Sequence, residues 1–225
     1  MVGRRSILVA AALLTIGLTV GAPAFGAGSG KADVKVAGFI KDLADRAIVQ
    51  LTPKDISEFE RARRMRVLLE DGFDMDAIGK FVLGVYWRRA TEAQQAEFLA
   101  LYRELVVRNY AALFGNYTGE SVEIGPIRPL DDKDEAFMVE SQINRAGGPP
   151  IPIVWRVRNN SAAPKILDVQ VEGVSMPITH RNEYSAVIQR TGGNLDPLLS
   201  ALRKKTERPL STDVPAAGEK AAAGQ

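Results

Sequence analysis

The chain has 225 residues, 46% of them hydrophobic, with 29 Lys and Arg against 27 Asp and Glu, one histidine and no cysteine. The lack of cysteine excludes disulfides, thiolate metal sites and cysteine nucleophiles, and a lone histidine excludes a His-rich metal centre. The net charge of +2 includes Arg4 and Arg5, which fall in a leader; the near-neutral remainder argues against a nucleic-acid binder and against permanent adsorption on anionic lipid.

That leader comes first in chain order. Arg4 and Arg5 form a positive start, residues 7–20 an apolar stretch too short for a stable span, and Ala22-Pro23-Ala24 an A-x-A cleavage site. The expected organisation is a secretory signal peptide over 1–24, a single domain over 25–208, and a disordered tail over 209–225, whose Ala, Gly, Pro and scattered charge cannot bury a core. No cysteine follows the cleavage site and no later run is long enough to cross a bilayer, so neither a lipid anchor nor a span is expected.

Phe39, Ile40, Leu43, Ala44, Ala47, Ile48 and Leu51 recur at helical spacing and predict a helix over 33–51, ended by Thr52-Pro53. A second helix is expected over 57–71, with Phe59, Ala62, Met65, Leu68 and Leu69 inward, Arg61, Arg63, Arg64 and Arg66 mostly outward, and Gly72 as its C-cap. Acidic neighbours make those arginines a solvated mixed-charge face rather than a phosphate site. A short helix over 74–83 breaks at Gly84. Thr91 then caps a long helix, with Gln94 completing a capping box and Phe98, Leu101, Tyr102, Leu105, Val106, Tyr110, Leu113 and Phe114 forming its apolar stripe.

Beyond residues 115–119 the apolar period changes to two, predicting strands over 121–128, 136–145, 151–158 and 165–172. Phe137, Val139 and Ile143 share one side, as do Ile153, Trp155 and Val157, and Leu167, Val169 and Val171; Glu140, Gln142, Arg156, Arg158, Asp168 and Gln170 take the other. This is the pattern of an antiparallel sheet covered on one face. A helical region holding Tyr184, Val187 and Ile188 precedes Gly192-Gly193, and a last helix presents Leu195, Leu198, Leu199 and Leu202. The fold class is therefore α+β, with helices on one face of a curved four-stranded antiparallel sheet. Such a layer pair leaves a cone-like space, and periodicity alone does not say whether side chains fill it.

Catalytic patterns are sparse. His180 would have to carry any Ser-His-Asp arrangement alone, and no G-x-S-x-G turn is present. Asp131, Asp132, Asp134 and Glu135 read as a solvated turn, since acid–base carboxylates need apolar shelter to separate their pKa values. Gly147-Gly148-Pro149-Pro150 has no helix start behind it and is not a phosphate loop. No metal, cofactor or catalytic residue is expected.

Two stretches carry a resemblance. Phe81-Val82-Leu83-Gly84-Val85-Tyr86-Trp87-Arg88-Arg89-Ala90-Thr91 leads into the long helix, and Val171-Glu172-Gly173-Val174-Ser175 ends the last strand. At this separation and behind a leader, the chain over roughly 37–206 resembles the MlaC-like, or toluene-tolerance, family of periplasmic phospholipid carriers. The resemblance implies a nuclear-transport-factor-like cone with an open apolar cavity and no enzymatic activity. It also implies a monomeric periplasmic shuttle carrying phospholipid between an inner-membrane lipid ABC transporter complex and an outer-membrane lipoprotein complex. A related branch occurs in hopanoid-producing bacteria, so a hopanoid or other polycyclic lipid is the alternative cargo; a small-substrate enzyme on the same cone is a further one. The chain departs from the family at Ala162-Ala163-Pro164-Lys165, where an aromatic is frequent, and at His180, where a tyrosine is frequent.

Strand and helix faces then give the expected lipid-binding wall: Tyr102, Val106, Tyr110, Val139, Trp155, Val157, Val169, Val171 and Val174. Tyr86 and Trp87 are expected to wedge the short helix against the long one, with Arg88 and Arg89 in water or paired. Gly173 is expected to bend the chain and Ser175 to cap the helix that follows.

Overall fold

The computed structural model describes residues 30–117, 119–133, 135–145, 148–159 and 163–213. The expected leader and Asp134 lie outside the described residues, as does the tail beyond Asp213.

Among the described residues, six α-helices and one 3-10 helix accompany a five-stranded antiparallel sheet of order β1-β2-β3-β4-β5, one strand more than the four expected. α1 (Lys31–Leu51) and α2 (Glu58–Gly72) form an antiparallel hairpin. Ser57 caps α2 by accepting from the Glu60 N–H at 3.2 Å, while the chain leaves the helix at Phe73 in an extended conformation. Gly72 therefore is not the C-cap: it lies inside α2, and a Cβ there would sit 2.6 Å from Leu43 Cδ2, so it is needed for the close approach of α1. Arg61 also differs from expectation. It is 4% exposed, and its guanidinium donates to the carbonyls of Leu51 and Pro53, both at 2.8 Å, closing the C-terminus of α1. Phe59, expected inward, is 53% exposed. The remaining α2 arginines pair with Glu60 or with Glu104 on the long helix, as a mixed-charge face should.

α3 (Met75–Leu83) is capped by Asp74 and ends where Gly84 takes φ 58°, ψ −127°, a region closed to residues with a Cβ. A 3-10 turn, Gly84–Arg89, carries the chain to α4 (Glu92–Phe114), whose capping box between Thr91 and Gln94 is complete. Tyr86 and Trp87 pack half-buried against the core cluster.

β1 (Ser121–Pro129), β2 (Ala136–Asn144), β3 (Ile151–Arg158) and β4 (Lys165–Val171) pair in sequence, and a two-residue β5 (Val174–Ser175) adds to β4 before α5 (Met176–Arg190) and α6 (Asp196–Glu207). Val174 was expected in the cavity; it is instead 52% exposed in the fifth strand. Gly173 turns the chain at φ 80° and Ser175 caps α5. A register shift lies between Arg156 and Val157, so Val157 pairs with Ile166 and Arg156 with Asp168, leaving Leu167 as the extra residue. Ile166, not Leu167, is consequently fully buried on the inner face.

Order continues past the expected boundary at residue 208. Leu210 packs against the core cluster, and Ser211 accepts from the Phe59 N–H at 3.0 Å, which straps residues 208–213 onto α2 and α4. Among the described residues, no helix is long and apolar enough to cross a membrane.

Candidate functional site: an apolar cavity

The inner face of the sheet consists of cross-strand rows that differ in cover. At one end Phe137, Val157 and Ile166 lie side by side, each fully buried. The α2–α3 junction seals this end: Phe73 bridges to Ile166, the Asp74 N–H donates to the Ile166 carbonyl at 3.0 Å, and Arg158 pairs with the Asp74 carboxylate. Further along, Trp155 neighbours Val169, Ile153 neighbours Val171, and Ile143 neighbours Ile151; these rows are not sealed. They form one wall of a cavity of about 520 Å³. That volume falls within the range of about 300–1,000 Å³ usual for ligand pockets.

The opposite wall is helical. α4 supplies Tyr102, Val106, Tyr110, Leu113 and Phe114, and α1 supplies Ile40, Leu43, Ala44, Ala47, Ile48 and Leu51. Sequence reasoning missed α1 as a wall, although its apolar stripe was evident; a stripe shows that a face is covered, not what covers it. Met65, Leu68 and Leu69 of α2 and Met75 and Ile78 of α3 add depth. Leu113, 65% exposed, lies with exposed Asn116 and Arg145 at the far end from the Phe73 seal, and these mark the mouth. Lys54 fixes one lip by donating to the carbonyls of Gly115 at 3.2 Å and Tyr117 at 2.7 Å.

Of the nine residues expected to line the cavity, Tyr102, Val106, Tyr110, Trp155, Val169 and Val171 do so. Val139 and Val157 do not: both are fully buried in the core cluster, Val157 in the sealed row and Val139 beside Trp155 on the neighbouring strand. Val174 projects from the edge strand, as described.

Polar groups in this wall are few, and most are neutralised or satisfied. The Trp155 indole N–H donates to Ser141 Oγ at 2.8 Å, so its ring meets the cavity without an unpaired donor. Burial is the main cause raising the Tyr102 and Tyr110 hydroxyl pKa values, with the Asp168 carboxylate adding to both. Tyr184, behind Tyr102, is pushed up to about 12, chiefly by burial. Burial likewise lowers the His180 pKa, with Glu183 opposing and Lys205 reinforcing the shift. Phenols and imidazole are therefore uncharged here at neutral pH. Asp168 departs from its expected wet face: it is half-buried along the cavity and accepts from Ser175 Oγ at 2.9 Å. Among the described residues no cluster of His, Asp and Glu has the arrangement of a metal site.

A one-sided α+β layer pair enclosing an apolar hollow defines the class: an α+β fold with an internal apolar cavity of ligand-pocket size. The family model described as MlaC protein matches residues 41–204, and the chain belongs to the MlaC family. It is 24% identical over 139 residues to the intermembrane phospholipid transport system binding protein MlaC of Haemophilus influenzae, covering 61% of this chain and 64% of that one. It is also 24% identical over 124 residues to the toluene tolerance protein ttg2D of Pseudomonas putida, covering 55% and 57%. The matches thus span somewhat under two thirds of the length of these curated relatives. Among solved structures, the phospholipid-binding protein from Ralstonia solanacearum, in complex with a phospholipid, shares the fold with a TM-score of 0.66 at 22% identity, over 76% of this chain and 96% of that one.

Proposed function

We propose that this protein is a periplasmic, non-enzymatic carrier that holds the acyl chains of a phospholipid in the cavity and shuttles it between an inner-membrane ABC transporter complex and an outer-membrane lipoprotein complex. The observation that carries the reading is the cavity itself, walled by α1 and α4 on one side and by the uncovered rows of the sheet on the other. A diacyl phospholipid has roughly 30 methylenes at about 0.8 kcal/mol each, so exposing both tails to water costs on the order of 20 kcal/mol. A carrier must shelter nearly all of that surface, and a lining made mainly of Ile, Leu, Val, Met and aromatic side chains suits the task. The head group is left at the mouth beside Asn116 and Arg145.

The names of the relatives, one an intermembrane phospholipid transport component, and the lipid complex of the structural neighbour support the cargo class. Catalysis is disfavoured by how the two candidate groups are engaged. Asp168 bonds to Ser175 and His180 to Tyr102, rather than to one another. Organic extraction of the purified protein followed by mass spectrometry tests the proposal: it should release phospholipid in stoichiometric amount. Protein that is lipid-free as purified and takes up none from vesicles would overturn it, and a polycyclic lipid in the extract would redirect it.

A further inference from the structure

Outside the cavity, three large apolar side chains stand exposed on neighbouring elements: Phe81 at 44%, Val85 at 49% and Ile178 at 48%. Phe81 and Val85 are four residues apart across the Gly84 turn, and Ile178 is three residues before Arg181 on α5. Arg181 joins the two elements, its guanidinium carbon 4.9 Å from the centre of the Phe81 ring and its head group 3.2 Å from where a Cβ on Gly84 would lie. Beside them Lys80 lies over the Trp87 ring at 5.6 Å, and Arg88 and Arg89 are exposed at the end of the same turn.

These four cations pair with no carboxylate among the described residues. Arginines of α2 and α4 behave otherwise: Arg63 and Arg64 reach Glu60, Arg66 and Arg108 reach Glu104, and Arg103 reaches Asp76. The carboxylates nearest in sequence to the patch are Asp76, Glu92 and Glu183; Asp76 is engaged by Arg103, and neither Glu forms an ion pair with the four. The patch thus combines apolar tips with uncompensated positive charge on a chain of near-zero net charge.

We propose that this patch seats the protein transiently on an anionic bilayer surface, Phe81, Val85 and Ile178 entering the head-group boundary while Lys80, Arg88, Arg89 and Arg181 meet lipid phosphates. Cations resting on aromatic faces are suited to that boundary, since stem and ring stay on the apolar side and the charge on the wet side. The patch occupies the outer side of α3 and α5, and inner residues of the same helices, Met75, Ile78, Met176 and Pro177, line the cavity. Attachment there sets α3 and α5, two helices of the cavity wall, against the membrane without requiring the net positive charge that would hold the protein permanently.

The test reads attachment rather than lipid carriage, so its failure is separable from failure of the carrier reading. The purified protein, in the form cells accumulate, is sedimented with phosphatidylcholine vesicles with and without phosphatidylglycerol. Phosphatidylglycerol-dependent pelleting that is released by high salt is expected. Arg88→Gln with Arg89→Gln should weaken it by about fivefold per cation removed, with an unchanged urea midpoint because neither side chain pairs with a carboxylate among the described residues. Val85→Ser should weaken it further, and Arg88→Lys with Arg89→Lys should retain it, because phosphates in a fluid surface impose no fixed pairing geometry. Absence of phosphatidylglycerol-dependent pelleting, or full binding by the Gln pair, overturns the proposal. Loss in the Lys pair does so too, since it would indicate the fixed geometry of an acidic protein surface.

Discussion

The Tyr102 hydroxyl lies 3.0 Å from His180 Nδ1, joining the middle of α4 to the start of α5 beside the cavity. Phe98 and Tyr184 pack around the pair, Phe98 stacked on Tyr102 and Tyr184 stacked on His180. The imidazole is thus held in an apolar setting, which is why its pKa is lowered. Its contribution to stability is intact above the unfolded value of about 6.5 and is lost as pH falls through the depressed value, because the unfolded chain then binds a proton the native state resists. Urea midpoints should fall across that window, and His180→Gln should flatten the fall; an identical slope in the variant would remove His180 as the cause. Tyr102→Phe should cost about 1 kcal/mol from the lost hydrogen bond.

Val169 and Val171 lie on the uncovered part of the sheet. A glutamate at either position sets a charge against acyl chains and should reduce the phospholipid released on extraction, while circular dichroism stays native because the cavity gives the side chain room. Unchanged lipid content in a folded variant would exclude that residue from the lipid surface.

Two glycines should be intolerant of alanine for different reasons. At Gly84 the backbone conformation excludes a Cβ, and Gly84→Ala should cost about 1–3 kcal/mol. At Gly72 the conformation is helical, but the methyl meets Leu43, so Gly72→Ala should cost about 1–3 kcal/mol by overpacking and should displace α1 from the cavity. Urea unfolding measures both; only Gly72→Ala should also change lipid loading.

The capping box at Thr91 holds the start of the helix that carries the cavity wall. Thr91→Ala should lower stability by about 1 kcal/mol, readable as a shift in urea midpoint without a change in slope.

Local chemistry made much of this architecture legible in advance. Thr91, Ser175 and Gly84 act within a few residues of themselves, so their caps and break follow from side-chain reach and backbone sterics. The inner face of β3 followed from alternation, since Ile153, Trp155 and Val157 all turned inward. Alternation failed in β4 at Leu167, where one extra residue shifted the count and brought Ile166 inside.

The sequence by itself determined all six α-helices and four of the five strands to within a few residues, the apolar face of most of them, and, through its two signature stretches, the resemblance to the family. Only the tertiary structure decided where along those faces the interior is solid and where it is hollow. Val157 and Trp155 carry the same alternation signal, yet one is sealed under the Phe73 crossing and the other opens on the cavity. The physical reason is that periodicity records the direction of a side chain relative to its own backbone, whereas free volume depends on what a segment distant in sequence lays across it.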